Sequence, residues 1–525
     1  MAESHSENTR RIAKNTLFLY GRMLFGMLVS LYTSRVILNA LGVEDYGIYN
    51  VVGGFVAMFS LISSSLSSSI SRFITYELGA GNIQRLKEVF STSITIQLVM
   101  SVIIIIIAET IGLWFVNYKL VIPPDRLLAA NWVFQASIIA FVLGLLTCPY
   151  SASIISHERM NVFAIIGIFD IIARLIIVLF IAYSTLHFDR LICYSILLVV
   201  LGIIVQFVYF VYCRRHFPEC KASPKFHKES WKEMSGFAGW NAIGCTAGIL
   251  KDQGVNILLN IFFGPIVNAS RGIAGSVSNA VCSFSNNFMV AVSPQITKSY
   301  AAKNLDYSFS LVERGSRFGF YIMMLLSLPI LFETPYILKL WLKDYPEWTV
   351  IFVRFVLAYS LLEVLSNTLI TLQTATGRIR NYQIAVGGLL LMNFPFSYIF
   401  LKLGGEPYCV YIVAIAVGIG CLLLRLWFLR TMTGLSMKRY LKKVVVNVVI
   451  TSICTSIVPL LIFPSFSEGF LRLCIITILC ITFGTISILY IGCNKSERAF
   501  IISKIATIPQ RITNYVINDS HRRQA

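Results

Sequence analysis

Fourteen apolar runs alternate with short polar connections along the chain, at 16–41, 46–71, 89–116, 130–156, 161–184, 191–213, 235–263, 268–293, 318–338, 347–374, 382–401, 408–429, 444–463 and 469–492. Each is long enough for a helix to cross a hydrocarbon core, which takes about 20 residues. The pattern predicts an all-α integral membrane protein with about 14 transmembrane helices. Composition agrees: 56% of the 525 residues are hydrophobic and 13% charged, with a mean hydropathy of +0.74. A soluble domain carries roughly twice that share of charge, about 25%. Arg10 and Arg11 precede the first run in a loosely twin-arginine arrangement. That run is too long for a signal sequence, carries Arg22 and Arg35 and lacks a small-residue cleavage site, so it is read as a retained helix.

Charge gives the orientation. The chain has 44 Lys and Arg against 25 Asp and Glu. If both ends face the cytoplasm, the outer loops hold only Lys119, Arg126, Arg190, Lys339, Lys343 and Lys402, while the inner segments hold most of the rest. The positive-inside rule then predicts two cytoplasmic termini. The basic residues lie in short loops, not in one patch, which argues against a nucleic-acid partner. The twelve cysteines form no CxxC pair, and the six histidines lie outside the apolar runs or near their ends, so neither a disulfide framework nor a metal site is expected. Two basic connections divide the chain into an N-terminal tail (1–15), a first lobe of six spans (16–213), a linker (214–234), a second lobe of six (235–429), a basic loop (430–443), a last helix pair (444–492) and a C-terminal tail (493–525).

The lobes carry a repeat. With a shift of 222 positions, residues 41–82 align with 263–304 without a gap and with eight of 42 columns identical, among them Gly42 with Gly264, Ser63 with Ser285, Ser71 with Ser293 and Asn82 with Asn304. Both segments are the second span of their lobe. In the first, seven of the nine residues 63–71 are serine. Serine permits close helix packing, with its hydroxyl bonded back one turn. Alternatively, the run faces water. Asn286 and Asn287 stand opposite Ser64 and Ser65, and amides are harder to hide from water, which favours a polar passage lined by Ser64, Ser65, Ser68, Asn286 and Asn287.

A charged residue within a span costs about 2.5–3.5 kcal/mol on insertion and so usually faces protein or water. Asp170 and Arg174 are four apart and can neutralise each other. Arg425 and Arg472, near span ends, can snorkel. Arg354 and Glu363 need partners on other helices. Arg22, Arg35, Lys251 and Arg271 have no acid one turn away in their own spans, which predicts a cationic, water-filled cavity. Guanidinium forks match phosphate oxygens bidentately, so a phosphate-bearing cargo is the natural candidate.

The stretch TSRVILNALGVEDYGIYNVVGGF, residues 33–55, resembles the signature joining the first two spans of bacterial polysaccharide transporters, the O-antigen (Wzx-like) flippases of the multidrug/oligosaccharidyl-lipid/polysaccharide (MOP) exporter superfamily. The span count and both basic segments extend the resemblance along nearly the whole chain. It implies a MATE-like fold of two six-helix lobes that rock between inward-open and outward-open states. The implied cargo is an undecaprenyl-pyrophosphate-linked oligosaccharide, carried across the bacterial inner membrane for O-antigen, capsule or exopolysaccharide synthesis. A polysaccharide polymerase and a chain-length regulator would be its partners. By helix position, Arg22, Arg35 and Arg271 are the implied pyrophosphate ligands, and the charge reading adds Lys251.

No cofactor is expected. Family members are often ion-coupled, and Asp252, Glu363 and Asp170 are the candidates to carry H+ or Na+. No GxxxxGK[ST] loop is present. A MATE-type ion-coupled multidrug exporter is the alternative; it would present acids and aromatics, not unpaired arginines, to its cavity. An enzyme of the same pathway would need a sizeable outer loop, whereas the longest here spans about 117–129, so catalysis is not expected.

Overall fold

The computed structural model describes residues 2–499 except 58, 119–121, 185–188, 264 and 343–344, and all the regular structure described is helical. The first half contains α1 (Ala2–Ala57), α2 (Ser60–Ala80), α3 (Ile83–Tyr118), α4 (Leu127–Ser156), α5 (Met160–Tyr183) and α6 (Arg190–His216). The second contains α7 (Lys228–Phe263), α8 (Pro265–Ala301), α9 (Leu305–Leu342), α10 (Thr349–Ala375), α11 (Arg380–Lys402) and α12 (Cys409–Thr433). A final pair follows, α13 (Met437–Ile462) and α14 (Phe470–Gly492). Among the described residues, ten helices are long and apolar enough to cross a membrane. Their outward faces leave large apolar side chains such as Ile106, Phe207 and Leu461 exposed, as lipid contact requires and water would penalise. The chain is a multi-pass membrane protein.

The second span differs from its expected bounds of 46–71. α1 continues through Gly42, whose φ of 84° breaks the helical path. The helical rod breaks again before Ser60, and α2 then extends to Ala80. Gly42 makes the first bend because an L side chain strains at positive φ. Asp45, one of the two acids of the 33–55 stretch, secures this corner. Arg126 grips Asp45 with two bonds, one of 2.8 Å from Nε, and reaches Asp189 at 2.6 Å. Asp189 also caps α6, accepting from the amides of Leu191 and Ile192 at 2.9 and 3.1 Å. Arg190 donates to the Ala40 carbonyl at 3.0 Å.

The repeat recurs bond for bond at the opposite end of the bundle. After α2, the Gly81 amide donates to the Leu78 carbonyl and that of Asn82 to Glu77, while the Asn82 side chain caps the Arg85 amide. In the second half, 222 residues later, Lys303 donates to Tyr300, Asn304 to Ser299, and the Asn304 side chain caps Tyr307. Gly81 and Lys303 occupy the same left-handed position, with φ of 73° and 58°.

Arg472 and Arg425 differ from the snorkelling expectation. α9 bends at Glu333, between Pro329 and Pro335. There the fully buried Glu333 carboxylate accepts from Arg472 Nη2 at 3.0 Å, and Arg472 Nε stands 2.8 Å from its other oxygen as an ion pair. Arg425 is 8% exposed and donates to the Tyr382 hydroxyl and Ser366 Oγ. Both guanidiniums turn inward because buried partners on neighbouring helices replace the water they would otherwise seek.

Candidate functional site

A cavity of about 690 Å³ is lined, among the described residues, by the second half. α7 contributes Lys251 and Asp252, α8 Arg271 and Asn286, and α10 Tyr359 and Glu363. These side chains form one polar chain. Lys251 Nζ donates to the Tyr359 hydroxyl at 3.0 Å and stands 3.3 Å from Asp252 Oδ1. Tyr359 passes its own proton toward Glu363 Oε1 at 2.9 Å. Arg271 donates through Nη2 to the Asp252 backbone carbonyl at 3.2 Å and lies 3.9 Å from that carboxylate. Among the described residues its buried Nη1 has no partner. Lys251 is 8% exposed, whereas Asp252 and Glu363 are exposed to the cavity.

The lining is therefore mixed in charge: two cations and two carboxylates. Helical spacing within single spans misses this, because Asp252 serves Arg271 on another helix and Glu363 reaches Lys251 through a tyrosine. The two cations remain the more committed to the site, since Lys251 is buried there and Arg271 keeps a free donor. An anion that displaced the long Arg271–Asp252 contact would gain both, at the short range where solvent is scarce.

The other expected residues are distributed as follows. Arg22 stays within the first half, its stem against Gly167 and its guanidinium 4.6 Å above the Phe163 ring. The side chain of Arg35 lies outside the described residues. Asp170 pairs with Arg174 at 3.0 Å, as the spacing predicts, and does not line the cavity. Arg354 is exposed away from it. Asn286 lines it, whereas Asn287 turns to Ser283 O at 2.8 Å and to Met23 of α1.

Ser64, Ser65 and Ser68 do not line this cavity. Ser64 is exposed and Ser68 half-buried. Ser65, 2% exposed, donates to the Ala238 carbonyl of α7 at 2.6 Å, and Ser69 donates to that of Met234 at 3.0 Å. The serine run is a seam between the halves, and its small side chains let α2 and α7 meet backbone to hydroxyl.

That seam is one part of a fastening that sequence reading missed. Arg72, at the end of the serine run, donates to the Thr374 and Ala375 carbonyls at 3.3 and 3.1 Å. These are the last carbonyls of α10, at the negative end of its dipole; that of Thr374 also accepts from the Gly377 amide at 3.1 Å. Reciprocally, α8 reaches the turn after α4, where Lys298 Nζ lies 2.7 Å from Glu158 and Gln295 donates to the same carboxylate. Each half's second helix thus holds the turn after the other half's fourth. Arg85 adds ion pairs to Glu233 and Glu229 at 2.9 and 3.5 Å. The available signal was Arg72 itself, a charge directly following an apolar and serine run.

Comparison with known proteins places this geometry. The sequence profile of the family described as "Polysaccharide biosynthesis protein" matches residues 12–299, more than half of the chain. The chain belongs to that family. No curated protein matches it. Among solved structures, this polysaccharide biosynthesis protein is similar to an outward-facing multidrug resistance MATE family transporter of the MOP superfamily, with 14% identity and a TM-score of 0.68 over 81% of this chain and 97% of that one. It is similar to a MATE protein in the bent conformation, with 12% identity and a TM-score of 0.68 over 82% and 96%. It also resembles a MOP superfamily transporter from Pyrococcus furiosus described as having a binding pocket of reverse polarity, with 14% identity and a TM-score of 0.65 over 81% and 96%. At these identities the likeness establishes the MATE-like fold, and the family profile ties that fold to polysaccharide biosynthesis.

Proposed function

We propose that this protein is a flippase that moves undecaprenyl-pyrophosphate-linked oligosaccharide repeat units from the cytoplasmic to the periplasmic leaflet of a bacterial inner membrane, for O-antigen, capsule or exopolysaccharide synthesis. The observation that carries the reading is the pairing of buried Lys251 with Arg271, whose Nη1 lacks a partner, in the cavity of a polysaccharide biosynthesis protein. Pyrophosphate would displace Asp252 from Arg271 and bridge the two cations. Under the positive-inside rule the fastened end would face the cytoplasm; this conformation would then be the inward-closed one, and release of Arg72 and Glu158 would admit cargo. Asp252 and Glu363, freed or reprotonated in the exchange, are the groups to couple H+ or Na+. A polymerase and a chain-length regulator would take over the product.

The test is deletion in the native host with analysis of surface glycan and lipid-linked intermediates. Glycan loss with repeat-unit lipid retained in the inner leaflet is expected, rescued by the wild-type gene but not by Lys251→Gln/Arg271→Gln at equal protein level. Unchanged glycan with new sensitivity to organic cations would replace the reading with multidrug export.

A further inference from the structure

The cavity has more polar groups than an anion requires. Five asparagines, Asn256, Asn279, Asn286, Asn367 and Asn393, reach it from four helices. Two further lining atoms are buried without a partner among the described residues, Ser285 Oγ and Asn393 Nδ2, and both residues are 1% exposed. The Asn393 carbonyl oxygen already accepts from Ser397 at 3.3 Å, which leaves the amide NH2 as its open side. A buried donor without a partner is destabilising, and a site that keeps several is shaped for something that supplies acceptors.

The chemistry of that ligand follows from the amide. A carboxamide offers a donor and an acceptor side by side, and a sugar hydroxyl both donates and accepts, so amides on several walls match a hydroxyl-rich surface in many orientations. A lipophilic cation would leave these amides unsatisfied, at a cost that hydrogen-bonding sites use to reject the wrong ligand. We propose that the five asparagines and Ser285 form a saccharide subsite beside Lys251 and Arg271, which reads the sugar residues next to the pyrophosphate. This inference rests on the flippase reading of the same cavity.

Two probes separate the two claims: undecaprenyl pyrophosphate without sugar, and the repeat-unit lipid extracted from the host strain that lacks this gene. Both are titrated against the full-length protein in nanodiscs. Wild type should bind the glycosylated lipid at least about tenfold more tightly than the bare one, by the convention that tenfold is about 1.4 kcal/mol. Asn367→Ala and Asn393→Ala, checked for an unchanged thermal midpoint, should each remove most of that difference and leave the bare lipid's affinity unaltered. Lys251→Gln should weaken both probes together. Equal wild-type affinity for the two lipids overturns the saccharide subsite, as do alanine variants that keep the full difference. Failure of the deletion strain to accumulate the lipid, or of bare undecaprenyl pyrophosphate to bind, overturns the flippase reading instead.

Discussion

Arg72 is the most direct handle on the opening and closing proposed above. Its guanidinium makes two bonds to the terminal carbonyls of α10 and also lies 5.6 Å from the Phe237 ring of α7, so its partners across the seam all belong to the other half. If the halves part as proposed above, these contacts break, and Arg72→Ala should destabilise the closed state relative to the open one. A hydrogen bond to a charged group contributes about 1.5–3 kcal/mol, and two at the lower bound make about 3 kcal/mol. That shifts the closed-to-open ratio on the order of 100-fold. Spin labels at the exposed positions Gln84 and Asp306, one in each half at the fastened end, would report it by pulsed dipolar spectroscopy. Wild type should give a dominant short distance, Arg72→Ala a large population at longer distance, and Arg72→Lys an intermediate mixture. Identical distributions for wild type and Arg72→Ala would refute the fastening role.

Three further outcomes follow from individual contacts. Arg472→Met strands the fully buried Glu333 carboxylate and should lower stability by about 3–5 kcal/mol, whereas Glu333→Leu/Arg472→Met should recover most of the loss, measured as thermal midpoints in detergent. Lys303→Gly removes a side chain from a left-handed position that Gly81 occupies in the first half, and should stabilise by up to about 1 kcal/mol in the same assay. Burial alone would raise the Asp189 carboxyl, but its bonds from Arg126 and the Ile192 amide outweigh burial and hold it below the ordinary value of 3.8. A depressed folded-state pKa gives stability that is present above the unfolded value and lost as pH falls through the folded one. The thermal midpoint should therefore drop with acid below about pH 4, a dependence that Asp189→Asn flattens.

The helices were legible because each apolar run must satisfy its own backbone inside a membrane, which leaves few alternatives. The repeat was legible because Asn82 and Asn304 do the same capping work, although nothing in the sequence marks Lys303 as left-handed. Lys251, Arg271, Asp252 and Glu363 all stood out as charges within apolar runs, but the way they pair did not, since rules of helical spacing find Asp170–Arg174 and cannot find Asp252–Arg271 across two helices. The fastening was hidden for another reason. Arg72 bonds to carbonyls, which every residue has, so its partners leave no trace in residue type.

The serine run shows how both of its readings can hold. Ser65 and Ser69 now bond to carbonyls of α7 and pack the seam. A seam that opens must release those hydroxyls without stranding them, and serine in a helix has the carbonyl one turn earlier to return to. Thr75 already bonds in this way, to Ser71 O at 2.6 Å. An asparagine at position 65 would lose its partners on separation, and a leucine would keep the halves together by apolar burial alone. In the proposed cycle a hydroxyl would bond across when the halves close and back when they part, which would keep the cost of moving between states small. Ser65→Leu/Ser69→Leu should consequently trap the closed form, seen as a spin-label distance that no longer responds to Arg72→Ala; restored opening in that triple variant would refute the account.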